Sequence, residues 1–203
     1  SSPLIAEVDV ATGDVASTWE SVRGAKQPRL NLLAPLSPAL MEYTCHKKAP
    51  AMLEAVRAQV AKARGLCEYV EFTAVDATRA EKDFLCQAIA AALECGASRV
   101  TLCDTAGVLL PDEFAVFIAG VQAGVPALAE AELLVQVSDG MSMGAACAAV
   151  AIAKGASGVK CAAVNAGYPT LQQLAQLSFC QNSVTSIQQW SGQLEIHHLG
   201  DSA

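Results

Sequence analysis

"RVTLCDTAGVLLPDEF", Arg99 to Phe114, decides how the rest of the chain is read. Arg99 to Cys103 is short and apolar, which predicts a strand. Asp104-Thr105 and Gly107 then make a polar turn. Pro111, followed by Asp112 and Glu113, predicts the start of a helix. Proline's missing N–H costs little in the first helical turn, and acids there meet the positive end of the helix dipole. Strand, polar turn and helix together form the repeating unit of a parallel α/β protein.

The same unit recurs in both directions from this stretch. Strands are predicted at Leu4–Val10, Arg29–Ala34, Tyr69–Thr73, Leu133–Val137 and Gly158–Val164, each short, apolar and partly β-branched. A long amphipathic helix is expected over Ser37–Leu66. A second spans Ala80–Glu94 and stops at Gly96, and an alanine-rich one spans Met143–Lys154 and stops at Gly155. No antiparallel hairpin signal interrupts the alternation. A doubly wound sheet and a (β/α)8 barrel both satisfy it. No GxGxxG or GxxxxGK follows a strand, so nucleotide-binding versions lose weight. The division expected is residues 1–170 as the α/β domain and 171–203 as a C-terminal helix and tail.

Composition narrows the function classes. In 203 residues, 53% are hydrophobic and 16% charged, with a net charge of −7. The largest basic cluster is His46-Lys47-Lys48, too small for a nucleic-acid backbone partner. The longest apolar run, Ala145–Ala153, is too short to span a bilayer. "SSPLIAEVDV" lacks a basic n-region, so no secretory signal is read there. Eight cysteines without a CxxC spacing read as buried free thiols in a reducing cytoplasm.

In either fold, ligands bind at the carboxyl ends of the strands. The polar residues there are Ser37, Asp76 with Arg79, Asp104 with Thr105, Gln136, Ser138 and Asp139 in "VQVSDG", and Asn165. Several have structural readings. Asp104 can cap its own turn, and Asp76 with Arg79 can form a local pair at a helix start. His197 and His198, adjacent on a strand-like tail, point to opposite faces and suit a solvated tail better than a metal site.

Three stretches, in this order, resemble the DRE-TIM metallolyase family, which includes isopropylmalate, homocitrate and citramalate synthases and hydroxymethylglutaryl-CoA lyase. "SPALMEY" is similar to that family's Ser-Pro-x-His-Met-Glu-Tyr. "VEFTAVDATRAEKDFL" is similar to its Val-Glu-Phe-Ser-x-Glu-Asp-Ala-x-Arg segment. "GASRVTLCDTAGVLLPDEF" is similar to its Asp-Thr-Val-Gly-x-x-x-Pro-x-Glu-Phe segment. The likeness runs from about Ala6 to Gly167 and favours the synthases over the lyase. It implies a TIM barrel in which only strands three to eight appear. It also implies a divalent metal (magnesium, manganese or zinc), acetyl-CoA as a substrate and a small organic acid as its acceptor.

The departures from the pattern are specific. The metal-binding histidines of the family fall on Gln136 and Ser138, which replace imidazole poorly. The histidine after strand four is Leu40, and the glutamate at strand five is Val75. The Arg-Asp pair of strand one has no counterpart, and "NAGYPT" stands where the family has Gly-Glu-Arg-Ala-Gly-Asn. Asp76, Arg79, Asp104, Thr105 and Asp139 persist.

Two expectations from different classes result: a metal-dependent Claisen-type acyltransferase, or a catalytically silent relative that binds a partner or a small acid. New chemistry built on Asp104 and Asp139, which can attract a hydrated cation such as magnesium, is a third. Six strands leave two open edges, so a homodimer or a partner chain completing the barrel is expected.

Overall fold

The computed structural model describes residues 3–163 and 167–177. Six parallel strands form one sheet: β1 (Leu4–Asp9), β2 (Pro28–Pro35), β3 (Val70–Val75), β4 (Arg99–Asp104), β5 (Glu132–Val137) and β6 (Gly158–Lys160). Their spatial order is their order in sequence. Parallel crossovers share one hand, so strands laid down sequentially place every connecting helix on the same side. A doubly wound sheet must reverse direction; this one does not. The fold is of the (β/α)8 TIM-barrel type, represented by six strands.

Strand alternation divides the two faces. One face carries Val8, Leu30, Leu32, Phe72, Val100, Leu102, Val135 and Val137, all buried. The helices between strands cover it. They are α1 (Val15–Val22), α2 (Pro38–Tyr43), α3 (Ala49–Leu66), α4 (Lys82–Glu94), α5 (Pro111–Gly124) and α6 (Gly144–Ala153). On α3 the buried residues Met52, Val56, Val60 and Ala63 recur at helical spacing, and α5 presents Phe114, Ile118 and Val121 in the same way.

The inner face is polar, contrary to the expectation of strands apolar on both sides. Glu71, buried on β3, accepts from Thr101 Oγ1 at 2.7 Å and pairs with Lys160 of β6. Thr73 donates to Asn31 Oδ1 at 2.8 Å, and Asn31 donates to Glu7. Strands β3 and β6 are separated by β4 and β5, about 14 Å apart if the sheet were flat. Their side chains meet because the sheet rolls.

Three expectations need correction. The helix predicted over Ser37–Leu66 is two helices, α2 and α3. Pro50 cannot donate, and its ring would clash with the carbonyl of His46, so the chain breaks there; His46 takes φ 50° in the break. The last strand stops at Lys160 rather than Val164, leaving a single bridge between Ala162 and Thr170. Cys161 is exposed rather than buried. Helix α1 was not expected at all: it is short and is started by Asp14, which accepts from Ala16 N at 3.1 Å. A short helix α7 (Leu171–Ala175) opens the segment read as helix and tail; His197, His198 and the rest of that tail lie outside the described residues. Cys45, Cys67, Cys86, Cys95, Cys103 and Cys147 are free thiols, and no described helix is long and apolar enough to cross a membrane.

Candidate functional site

The alternation that sorts the core also sorts the candidates. On β4, Val100 and Leu102 face the helices, and Asp104 continues their side. Arg99, Thr101, Cys103 and then Thr105 continue the inner side. On β5, Asp139 follows Val135 and Val137, whereas Gln136 and Ser138 follow Leu134 on the inner side. The acids and the neutral residues therefore part company.

Each acid is engaged locally. Asp104 is buried, and its Oδ1 accepts from Thr78 Oγ1 at 2.6 Å and from Gly107 N at 3.2 Å. It holds the β3 and β4 loops together and caps its own turn; its Oδ2 is buried without a partner. Asp139 Oδ1 accepts from Gly144 N at 2.8 Å and closes the turn into α6. Asp76, fully buried in the left-handed region at φ 59°, accepts from Arg79 Nε at 2.8 and 3.0 Å and from its Nη2 at 2.7 Å. Its side chain does not cap the short turn of helix that follows. Hydrogen bonding to Asp76 pushes the Arg79 guanidinium above its usual range, and the charges of Asp76 and Asp104 add to this.

The inner side presents a different set. Cys103 lies opposite Gln136, and Gln136 opposite Lys160, so these three form one row across β4, β5 and β6. Thr105, exposed, and Ser138, half-buried, stand one step above that row. Ser138 Oγ donates to Gly167 O at 3.4 Å, and Cys103 Sγ lies 3.6 Å from Thr105 Oγ1. Asn165 is outside the described residues. Cys103 and Lys160 are missing from the residues picked out by sequence. Counting alternate positions from Val100 and Leu102 would have found Cys103. Lys160 interrupts an apolar run, which is the only signal it gives.

This set does not build a metal centre. No group of three or more His, Cys, Asp or Glu side chains that could hold an ion occurs among the described residues. Gln136 and Ser138 bring neutral oxygens where two imidazoles would be needed. Nor is there an activated nucleophile with its base. Burial pushes the Cys103 thiol up, outweighing the opposing pull of Thr105 and Lys160. The Cys147 thiol, on α6, is pushed up to about 11 by burial and the Asp104 charge. The only described histidine, His46, lies between α2 and α3. Among the described residues, the ends of β4 to β6 offer neutral hydrogen bonding beside the Lys160 ammonium, which pairs with Glu71, and Asp9 at the end of β1 adds a carboxylate whose Oδ1 accepts from Ala11 N and Thr12 N.

The β4 and β5 loops touch at Gly107. Its φ is +62°, and a Cβ there would lie 2.7 Å from Ser138 O. Gly107→Ala is expected to cost about 2–3 kcal/mol, combining left-handed strain with that contact. Urea unfolding of the two proteins measures the difference. A cost below about 0.5 kcal/mol, the level of an ordinary surface change, would show that the loops are not tied there.

Comparison with known proteins agrees with the architecture. The HMGL-like family model matches residues 3–170. The 2-isopropylmalate synthase of Syntrophus aciditrophicus is 33% identical over 148 residues, covering 73% of this chain and 29% of that protein. The chloroplastic methylthioalkylmalate synthase 1-1 of Eutrema japonicum is 34% identical over 116 residues, 57% of this chain and 23% of that protein. This chain therefore spans less than a third of the length of these relatives. Among solved structures, the HMG-CoA lyase from Brucella melitensis superimposes with a TM-score of 0.65 at 15% identity, over 92% of this chain and 66% of that one. The carboxyl transferase domain from Rhizobium etli pyruvate carboxylase gives 0.58 at 14% identity, over 85% and 30%. These two likenesses carry the fold alone. With the family model covering residues 3–170, on a sheet whose six strands run in the order that a barrel requires, this chain belongs to the HMGL-like family.

Proposed function

We propose that this chain is a 2-isopropylmalate-synthase-like domain that has lost metal-dependent condensation and binds a small organic acid or a partner. The observation that carries this reading is the sorting of side chains at the strand ends. Asp104 and Asp139 are engaged in turns, and Gln136 and Ser138 occupy the inner positions. A condensing enzyme needs a Lewis acid on the oxo acid and a base for the acetyl methyl proton. Neither role is filled by the candidates at the ends of β3, β4 and β5.

The test is release of free thiol from acetyl-CoA with 2-oxoisovalerate, pyruvate or 2-oxoglutarate, in the presence of magnesium or manganese. No release above the uncatalysed background is expected. Turnover by the unmodified chain ends this reading.

A second reading is favoured by one fact: the chain covers only 29% of the first relative's length. In it, the domain works as a Claisen-type acyltransferase whose remaining catalytic residues lie outside this sequence. Turnover that appears only with the additional residues supplied would support it.

Partners enter through the edges. Among the described residues β1 pairs only with β2, and β6 only with β5. Leu4 and Ile5 on β1 are 50% and 38% exposed. Unpaired edges of this kind recruit further strands, and we place them in a second copy or another polypeptide segment. Light scattering on these residues alone should report association; a stable monomer counts against it.

A further inference from the structure

At the other end of the sheet, where the strands begin, a cavity of about 210 Å³ is lined by Arg29, Tyr69, Glu71, Ser98, Arg99 and Glu132. Of these only Glu71 touches the mouth described above, through its pairing with Lys160. Counted with Lys160, which pairs with Glu71, they carry three positive charges and two negative ones. Arg99 donates from Nε to Glu132 at 2.7 Å and lies 3.9 Å from Glu71, which also pairs with Lys160. Two bases thus meet two acids.

Arg29 is left over. It makes no ion pair among the described residues. Its guanidinium carbon sits 5.2 Å from the centre of the Tyr69 ring, and its Nε is buried without an acceptor. Stacking on the ring holds the fork in place, so little side-chain freedom remains to be lost on binding. A buried donor without a partner is costly, and an anion's oxygen would relieve it.

The surroundings select the ligand. One unbalanced positive charge calls for one negative charge, and the nearby Glu71 and Glu132 oppose a second. A planar carboxylate matches the guanidinium fork. The volume lies below the roughly 300–1,000 Å³ of typical ligand pockets, so an acid of a few carbons fits and a coenzyme thioester does not. We propose that this cavity is a second site, separate from the mouth, which binds a small monocarboxylic acid through Arg29. It does not depend on whether the mouth is catalytic.

The experiment follows the Arg29 Nε–Hε resonance of the isotope-labelled full chain, assigned by its loss in Arg29→Lys. Sodium butyrate is the probe. Butyramide serves as the neutral isostere, inorganic phosphate as the dianion, and ionic strength is kept constant with sodium chloride. Butyrate should shift the Arg29 signal saturably and raise the thermal midpoint. Butyramide should do neither, phosphate should act more weakly, and Arg23, paired with Glu20 at the surface, should stay still. Arg29→Lys, which keeps the charge and loses the fork, should abolish the thermal shift. The proposal fails if butyrate moves nothing up to tens of millimolar, if butyramide or phosphate matches it, or if Arg29→Lys retains the thermal shift. Should Arg29→Lys not fold, the butyrate–butyramide contrast on the unmodified chain still decides.

Discussion

A chain carrying Gln136→His with Ser138→His is expected to bind manganese or zinc at least about 100-fold more tightly than the unmodified chain. The two positions are i and i+2 at the end of β5, so both side chains leave the strand on its inner side. Two imidazoles would therefore converge on one space. Even partners that only orient a metal ligand are worth about 10–100-fold in affinity, and ligands themselves are worth no less. One cost is foreseeable: Lys160 lies opposite Gln136 on β6, and its ammonium repels a cation. Its pairing with Glu71 limits that repulsion. Equilibrium dialysis against manganese and zinc measures the gain. Should the unmodified chain already hold either ion with micromolar affinity, the silent-relative reading would be wrong. A double variant that gains metal without releasing coenzyme A would locate the remaining defect in residues beyond this sequence.

How much of this was legible in the sequence differs by level. The strands announced themselves as apolar runs, because the helix-facing positions Leu30, Phe72, Val100 and Val135 had to be buried. The barrel-type order was not legible from alternation alone; the resemblance of three motifs selected it. The break between α2 and α3 was readable, since Pro50 fits the first turn of a helix and not its interior. The amphipathic pattern on both sides hid it.

The site was legible as a list and not as a geometry. Asp76, Arg79, Asp104, Thr105, Gln136, Ser138 and Asp139 do sit at strand ends. Which side each one faces depends on the alternation of its own strand, and the list ignored it. Asp104 stood among the candidates because carboxylates do chemistry. Its neighbours Val100 and Leu102, both fully buried, already placed it on the helix side. The inner face was misjudged for a related reason. Glu71 in the middle of Tyr69–Thr73 and Arg99 at the start of Arg99–Cys103 were counted into apolar strands, yet they belong to the polar interior of a rolled sheet.

That interior carries the largest expected effect on stability. Glu71→Ala should destabilise the fold by about 3 kcal/mol, the lower part of the range for breaking a buried ion pair. The lower part applies because Lys160 and Arg99 keep 25% and 21% of their side-chain exposure and can recover some hydration. Two losses combine. Lys160 is left as a half-buried charge without its partner, and Thr101 Oγ1, fully buried, loses its acceptor. Glu71→Gln separates the two, since an amide oxygen can still accept from Thr101 while offering no charge to Lys160. It should cost roughly half as much, in line with the difference between neutral and charge-assisted hydrogen bonds. Replacing both ends, Glu71→Leu with Lys160→Met, should return most of the stability, because apolar pairs often substitute for buried ion pairs at little cost. Urea unfolding of the single and double variants closes a cycle whose coupling is expected at about 1.5–2.5 kcal/mol. If the single and double losses simply add, Lys160 and Glu71 do not hold one another, and the contact that draws β6 across to β3 contributes nothing to closing the sheet.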